Sequence, residues 1–276
     1  MNYRHAFHAG NFADCMKHAL FVWLLRALAR KPTPFRVLDT HAGLGRYDLD
    51  AEEARRTGEW QQGIGRLMDI TEGPLADYVG LVRADGGYPG SPALAAALLR
   101  PGDALALVEL HEQDHAILRA TFRRDPRVAV HKRDGFEAAR ALIPFPEKRG
   151  LILMDPPFEQ PGEYERLTAA ITEVSHRARG LVQAAWYPIK GRAPVRAFHT
   201  ALCESGVRDI LAAELHLREP TDAARLNGCG LIVVNAPYGF EEAAQSMLEA
   251  LREKLPTEAK MRETKAGWSL TRIADE

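Results

Sequence analysis

The chain has 276 residues, 46% of them hydrophobic and 26% charged, and its 36 Lys+Arg against 37 Asp+Glu give a formal net charge of −1. This balance is that of a globular protein and excludes a disordered, collagenous or disulfide-stapled chain. It also excludes chain-wide basicity as a way to hold nucleic acid, so such a partner has to be met by local patches. Cys15, Cys203 and Cys229 form no C-x-x-C pair and no zinc-like spacing, and an odd number of thiols suits a reducing compartment. The N-terminus is too polar for a secretory signal, and ALFVWLL at 19–25 falls far short of the ~20 apolar residues of a membrane span. The expectation is a cytoplasmic protein with no membrane partner.

Residues 13–30 read as an amphipathic helix, with Phe21, Leu24, Leu25 and Leu28 at helical spacing and Pro32 and Pro34 behind it. A short strand at 35–38 runs through Asp39 into the glycine-bearing turn THAGLG. Residues 46–90 lack strand runs and read as a small helical insertion. Ser91 is the expected N-cap of the next helix, with Pro92 at its first position. From there strands at 104–109, 127–130, 151–154 and 181–186 alternate with helices at 112–124, 135–143, 162–178 and 193–205. Strand segments at 208–217 and 230–235 complete the set. Short apolar strands alternating with helices predict an α/β doubly wound, mostly parallel sheet covered on both faces.

Ligands of such sheets bind at the carboxyl ends of the strands, near the point where strand order reverses. The first strand ends on the glycine turn, where backbone can approach a ligand, but Asp48 replaces the third glycine of G-x-G-x-x-G. That departure disfavours a nucleotide-dependent oxidoreductase. Glu109 ends the second strand and suits the two hydroxyls of a ribose; the third is followed by Asp134-Gly135, an acceptor for an adenine amine. Taken singly, each acid is more simply a helix cap or a solvated turn. The fourth strand, LILM, runs into Asp155-Pro156-Pro157-Phe158. Two prolines hold that chain extended, so the Asp155 carboxylate and Pro156 carbonyl can both accept from one exocyclic amine, while the Phe158 ring offers a stacking face.

His5, His8 and His18 have spacings that fit no common metal site, and HEQDH at 111–115 spells H-E-x-x-H without a third ligand, so no metal is expected. Basic residues cluster at 123–133 and at Lys190, Arg192 and Arg196, with Arg55, Arg56 and Arg66 in the insertion. A phosphate-holding rim is expected from the insertion and the 190–196 loop, which lie near the ligand face.

The glycine turn, the acids and D-P-P-F together resemble a class I S-adenosyl-L-methionine-dependent methyltransferase, within it the group that modifies exocyclic amines. The segments YRHAFHAGNFADCMKH (3–18), LDTHAGLGRY (38–47), YPGSP (88–92), VELH (108–111), RDGF (133–136), LILMDPPF (151–158) and WYP (186–188) narrow the resemblance to the RlmJ family of bacterial ribosomal RNA methyltransferases. It spans nearly the whole chain, implying one class I domain over 1–276 with a helical insertion at 46–90. It further implies a Rossmann-like seven-stranded sheet whose last strand is antiparallel, supplied by the hairpin-like pair within 208–235. The implied activity is methylation of the N6 amine of one adenine in 23S ribosomal RNA by a monomer using S-adenosyl-L-methionine. By resemblance His18, His41, Ser91, Glu109, Asp134, Gly135 and Asp155 contact the cofactor, Asp155, Pro156 and Phe158 carry the chemistry, and Tyr3 meets the RNA. Phe158 stands where the family often has Tyr, which keeps stacking and loses a phenol hydrogen bond. The rival readings are the same chemistry on DNA and a non-catalytic RNA-binding protein on this fold.

Overall fold

The computed structural model describes residues 5–255 and 267–275; Tyr3 lies outside them. The first helix, α1 (Phe12–Ala29), starts where the Asn11 side chain accepts from the amides of Ala13 and Asp14. Then follow β1 (Arg36–Asp39), β2 (Arg46–Tyr47), α2 (Glu52–Thr57), α3 (Glu59–Gln62), α4 (Ala76–Asp85), β3 (Tyr88–Pro89), α5 (Ser91–Leu98), β4 (Ala104–Val108) and α6 (Glu112–Phe122). Next come β5 (Val128–His131), α7 (Gly135–Ala141), β6 (Gly150–Met154), α8 (Glu163–Arg177), β7 (Val182–Ile189), α9 (Arg192–Glu204), β8 (Ile210–His216), β9 (Gly228–Val234), α10 (Phe240–Lys254) and β10 (Trp268–Ala274).

The main sheet has the order β10-β8-β9-β7-β6-β1-β4-β5. β1 pairs in parallel with β4 on one side and β6 on the other, Val37 lying opposite Leu105 and Leu151. β9 inserts antiparallel between β7 and β8, so 208–235 is the expected hairpin-like pair. The seven expected strands gain an eighth: β10 pairs antiparallel with β8 at the edge, a strand the periodicity did not reveal because its burial is partial. The helix α10 was likewise not read from the sequence. Residues 46–90 hold α2, α3 and α4 between β2 and β3, which pair with each other as a two-stranded sheet of their own.

Alternation along the strands sorts the core into two layers, because side chains two apart share a face. Val37, Leu105, Leu107, Leu151 and Leu153 pack on one side with α1, α5, α6 and α10. Leu38, Ala106, Val108, Ile152 and Met154 pack on the other with α7, α8 and α9. Strands buried on both faces explain the continuous apolar runs. The sheet order reverses beside β1: the chain moves outward through β4 and β5, then returns to β6 on the other flank. Among the described residues no helix is long and apolar enough to cross a membrane.

Candidate active site

The carboxyl ends of β1, β4, β5, β6 and β7 open onto one cavity of about 1410 Å³. Its wall includes His41, Ser91, Glu109, Asp134, Gly135, Asp155, Pro156 and Phe158, which are far apart in sequence. The turn after β1 is pinned from three sides. The Thr40 amide donates to Leu153 O (3.0 Å), the Ala42 amide to Val108 O (2.9 Å), and the Gly43 amide to Glu109 Oε2 (2.9 Å). Gly43 has φ +60°, and a β-carbon there would stand 2.4 Å from the Tyr47 hydroxyl. Glu109 Oε1 accepts from the His111 amide (2.7 Å), so each carboxylate oxygen keeps one lone-pair direction for a ligand. Burial raises the Glu109 carboxyl, against the pull of those two amides.

Asp134 caps α7, its Oδ1 accepting from Phe136 N (2.9 Å) and Glu137 N (3.0 Å). Its Oδ2 faces Arg166 at 3.2 Å, and the same guanidinium lies 4.5 Å over the Phe136 ring. Gly135 is required by close approach, since a β-carbon would stand 2.3 Å from Thr40 O and 2.7 Å from the His41 ring. Burial depresses the His41 imidazole to about 4, so the ring is neutral near pH 7. Ser91 is not the helix cap, which is Gly90. The first turn of α5 instead aims the Ser91 hydroxyl at Asp39, to which it donates at 2.6 Å. Asp39 is fully buried, and burial pushes its carboxyl up to about 7, with the nearby Asp155 charge adding to the rise.

The Asp155 carboxylate is not free. Lys17 Nζ lies 2.5 Å from Asp155 Oδ2 and 2.9 Å from Asp14 Oδ1, and Lys17 and Asp14 are only 4% and 2% exposed. Burial opposes the Lys17 charge, but the two carboxylates outweigh it and hold the ammonium well above its ordinary range. Asp14 is opposed by burial in the same way, and the charges of His5 and Lys17 hold its carboxyl well below the usual range. Asp14 Oδ2 also accepts from the Gly10 amide (2.9 Å) and lies 2.9 Å from His5 Nε2. Phe158 adopts φ +50°, a left-handed conformation a bulky residue enters only under constraint. Its ring makes edge contacts with Tyr164 (4.9 Å) and Trp186 (6.0 Å), and the Tyr164 hydroxyl donates to Pro188 O at 2.6 Å. The rings of Phe158 and Trp186 line the cavity beside Asp155.

His18 stands behind this wall. It is 1% exposed, its Nδ1 lies 2.9 Å from the Tyr88 hydroxyl, and burial depresses it to about 3. His8 is engaged with Glu59 (3.0 Å), which raises the imidazole. Several clustered basic residues are also committed locally: Arg127 to Asp125, Lys132 to Glu112, Arg55 to Asp50 and Arg192 to Glu219. Sequence reading missed the roles of Asp14, Lys17 and Asp39. A signal for the first two exists: an i,i+3 charge pair amid Ala13, Met16, Leu20 and Phe21 on a largely apolar helix marks a buried ion pair.

The buried end of the cavity gathers Asp14 and Asp155 about Lys17, with Glu109 on the same lining, while Asp39 lies buried behind it under Ser91. Two carboxylates stand against one ammonium there, so this region fits a ligand bearing positive charge. The sulfonium and ammonium groups of S-adenosyl-L-methionine fit that donor set.

A doubly wound sheet with an antiparallel β9, this cavity and Asp-Pro-Pro-Phe at the end of β6 define a Rossmann-like methyltransferase. The chain belongs to the family described as ribosomal RNA large subunit methyltransferase D, RlmJ, whose model matches residues 32–269. It is 39% identical over 263 residues to ribosomal RNA large subunit methyltransferase J of Escherichia coli, covering 92% of this chain and 94% of that protein. The protein of the same description from Haemophilus influenzae is 39% identical over 267 residues, covering 94% and 95%. A crystal structure of protein LPL1258 from Legionella pneumophila superposes with a TM-score of 0.83 at 31% identity, covering 96% of this chain and 97% of that one.

Proposed function

We propose that this protein methylates 23S ribosomal RNA at the N6 amine of one adenine, turned out of its stack into the cavity. The observation that carries this reading is the Asp155 carboxylate at the end of β6, fixed by Lys17 and flanked by Pro156, Phe158 and Trp186 on one wall. Glu109, Asp134, Gly135, His41 and Ser91 would hold S-adenosyl-L-methionine, which supplies an electrophilic methyl group when bound.

The chain's own contribution is orientation. Lys17 occupies Asp155 Oδ2, which leaves Oδ1 to accept from the amine together with the Pro156 carbonyl. An amine conjugated to a purine is a poor nucleophile, and two acceptors on its protons return electron density to nitrogen as it attacks. Phe158 offers the stacking face, and Trp186, set at 77° to it, closes the pocket edge-on and keeps water from the base. The attacked nitrogen becomes acidic once methylated, so its proton leaves along the hydrogen bond to Asp155 without a strong base.

Transfer of radiolabelled methyl to protein-free 23S ribosomal RNA and to genomic DNA tests the reading. Label is expected in the RNA as N6-methyladenine, and Asp155→Ala is expected to abolish it while calorimetric binding of S-adenosylhomocysteine persists. Labelling of DNA alone, or full turnover by Asp155→Ala, overturns it.

A further inference from the structure

The charge of the cavity is segregated by depth. Asp14 and Asp155 flank Lys17 at the buried end, two carboxylates to one ammonium, which disfavours phosphate there. Toward solvent, basic side chains outnumber acidic ones beside Phe158 and Trp186. The connection from β7 to α9 brings Lys190, and the long connection from β8 to β9 brings Arg218 and Arg225, to the same cavity that Phe158 and Trp186 line. Lys190 and Arg225 are exposed.

These two connections are stapled together. Asn227, 0% exposed, donates from Nδ2 to Lys190 O (2.9 Å) and Asp222 O (2.7 Å), and its amide donates to Ile189 O (3.0 Å). Arg218 Nη1 donates to Leu226 O (2.9 Å), and the Leu217 amide to Asn227 O (2.9 Å). The separation of Lys190 and Arg225 is therefore set by buried hydrogen bonds rather than by a free loop. On the β8–β9 connection itself, Glu219 pairs with Arg192 and Asp222 Oδ1 accepts from Ala224 N (3.0 Å), while the exposed Glu159 beside Phe158 is the acid that shares the lining with the basic pair. Among the described residues neither Lys190 nor Arg225 enters an ion pair.

We propose that Lys190 and Arg225 form a rigid basic lip that holds the sugar–phosphate backbone of the RNA strand on either side of the adenine seated in the cavity. This rests on the reading that the substrate is RNA. A base inserted beside Phe158 brings its own backbone to the cavity mouth, and polyanionic strand there requires cations that the interior carboxylates have not consumed. Exposed, flexible Lys and Arg side chains on a fixed backbone suit phosphate, which they bind without reading sequence. Because the patch is small, it accounts for nucleic-acid binding by a chain whose overall charge is −1. It also refines the expected rim: of the insertion's arginines, Arg55 and Arg66 are engaged by Asp50 and Gln62, and neither they nor the exposed Arg56 line the cavity, whereas Lys190 and Arg225 do.

The test compares wild type with Lys190→Ala/Arg225→Ala, using filter binding to a single-stranded RNA 20-mer over a salt series and methyl transfer to protein-free 23S ribosomal RNA. Two lost phosphate contacts make the plot of log affinity against log salt shallower by about 1.4, at roughly 0.7 per contact on a single strand. Affinity at low salt falls by roughly tenfold or more, and the KM for RNA rises with it, whereas S-adenosylhomocysteine affinity and Tm do not change. Lys190→Arg/Arg225→Lys restores the slope. An unchanged slope in the alanine variant overturns the lip, as does a loss the charge-conserving variant fails to restore. Absence of RNA methylation by wild type with a shallower slope in the variant overturns the assigned activity and leaves the lip standing.

Discussion

Replacing Lys17 by methionine keeps the length of the side chain and deletes the charge between Asp14 and Asp155. Lys17 is 4% exposed and Asp14 2%, whereas the Asp155 side chain is 18% exposed and retains some water. Stripping one member from a buried ion pair costs ~3–5 kcal/mol, because the partner is left as an uncompensated charge. Asp14 keeps His5 and the Gly10 amide, and Asp155 keeps water, which sets the loss near the lower end, about 3 kcal/mol. For 276 residues the unfolding entropy is about 0.58 kcal/mol/K, so Tm falls by about 5 °C. Activity falls further than stability: an unanchored Asp155 no longer presents Oδ1 to the amine, a loss of roughly 10²-fold in kcat with cofactor affinity little changed. Calorimetric unfolding and single-turnover methyl transfer measure the two effects, and a double-mutant cycle with Asp155→Asn isolates the pair, with a coupling of at least ~1 kcal/mol expected. A Tm within about 1 °C of wild type together with wild-type kcat would show that the pair supports neither fold nor chemistry.

Two further perturbations follow from the same geometry. Gly135→Ala puts a β-carbon 2.3 Å from Thr40 O, so α7 has to retreat from the β1 turn. Titration with S-adenosylhomocysteine should show binding weakened by about tenfold, and stability should fall by ~1–3 kcal/mol; unchanged affinity would detach this contact from the cofactor site. The pH response has a defined sign. His18 and His41 are depressed from 6.5 to about 3 and about 4, so below pH 6.5 the unfolded chain takes up protons the native chain refuses. Stability therefore falls as pH drops through that window, by at most ~1.4 kcal/mol per pH unit for each histidine. Urea unfolding between pH 7 and pH 4.5 measures the slope, and His18→Gln should flatten it; a slope unaltered by that change would mean His18 already carries its proton in the fold.

Much of this protein was legible in its residues one segment at a time. The short apolar runs LILM and ALALV, the prolines behind Asp155 and the glycines after Asp39 are local instructions, because a run buried on both faces, a fixed φ and a missing side chain act on neighbouring backbone. They were enough to predict a doubly wound sheet and to name the strand-end residues that the structure assembles on one cavity. Local pattern was not enough for β10, whose partly buried run declares a strand only once β8 offers an edge to pair with. Nor did it determine what each side chain does. Ser91 reads as a cap from its neighbours, yet its hydroxyl belongs to Asp39, 52 positions away. Lys17 and Asp155 are 138 apart, and nothing near either one announces the other. Sequence by itself determined the order of elements and the chemistry available at each strand end. Tertiary structure alone decided which charges meet, because the energy of a buried charge depends on the distance to its partner and the exclusion of water, and both exist only once α1 has packed across the sheet.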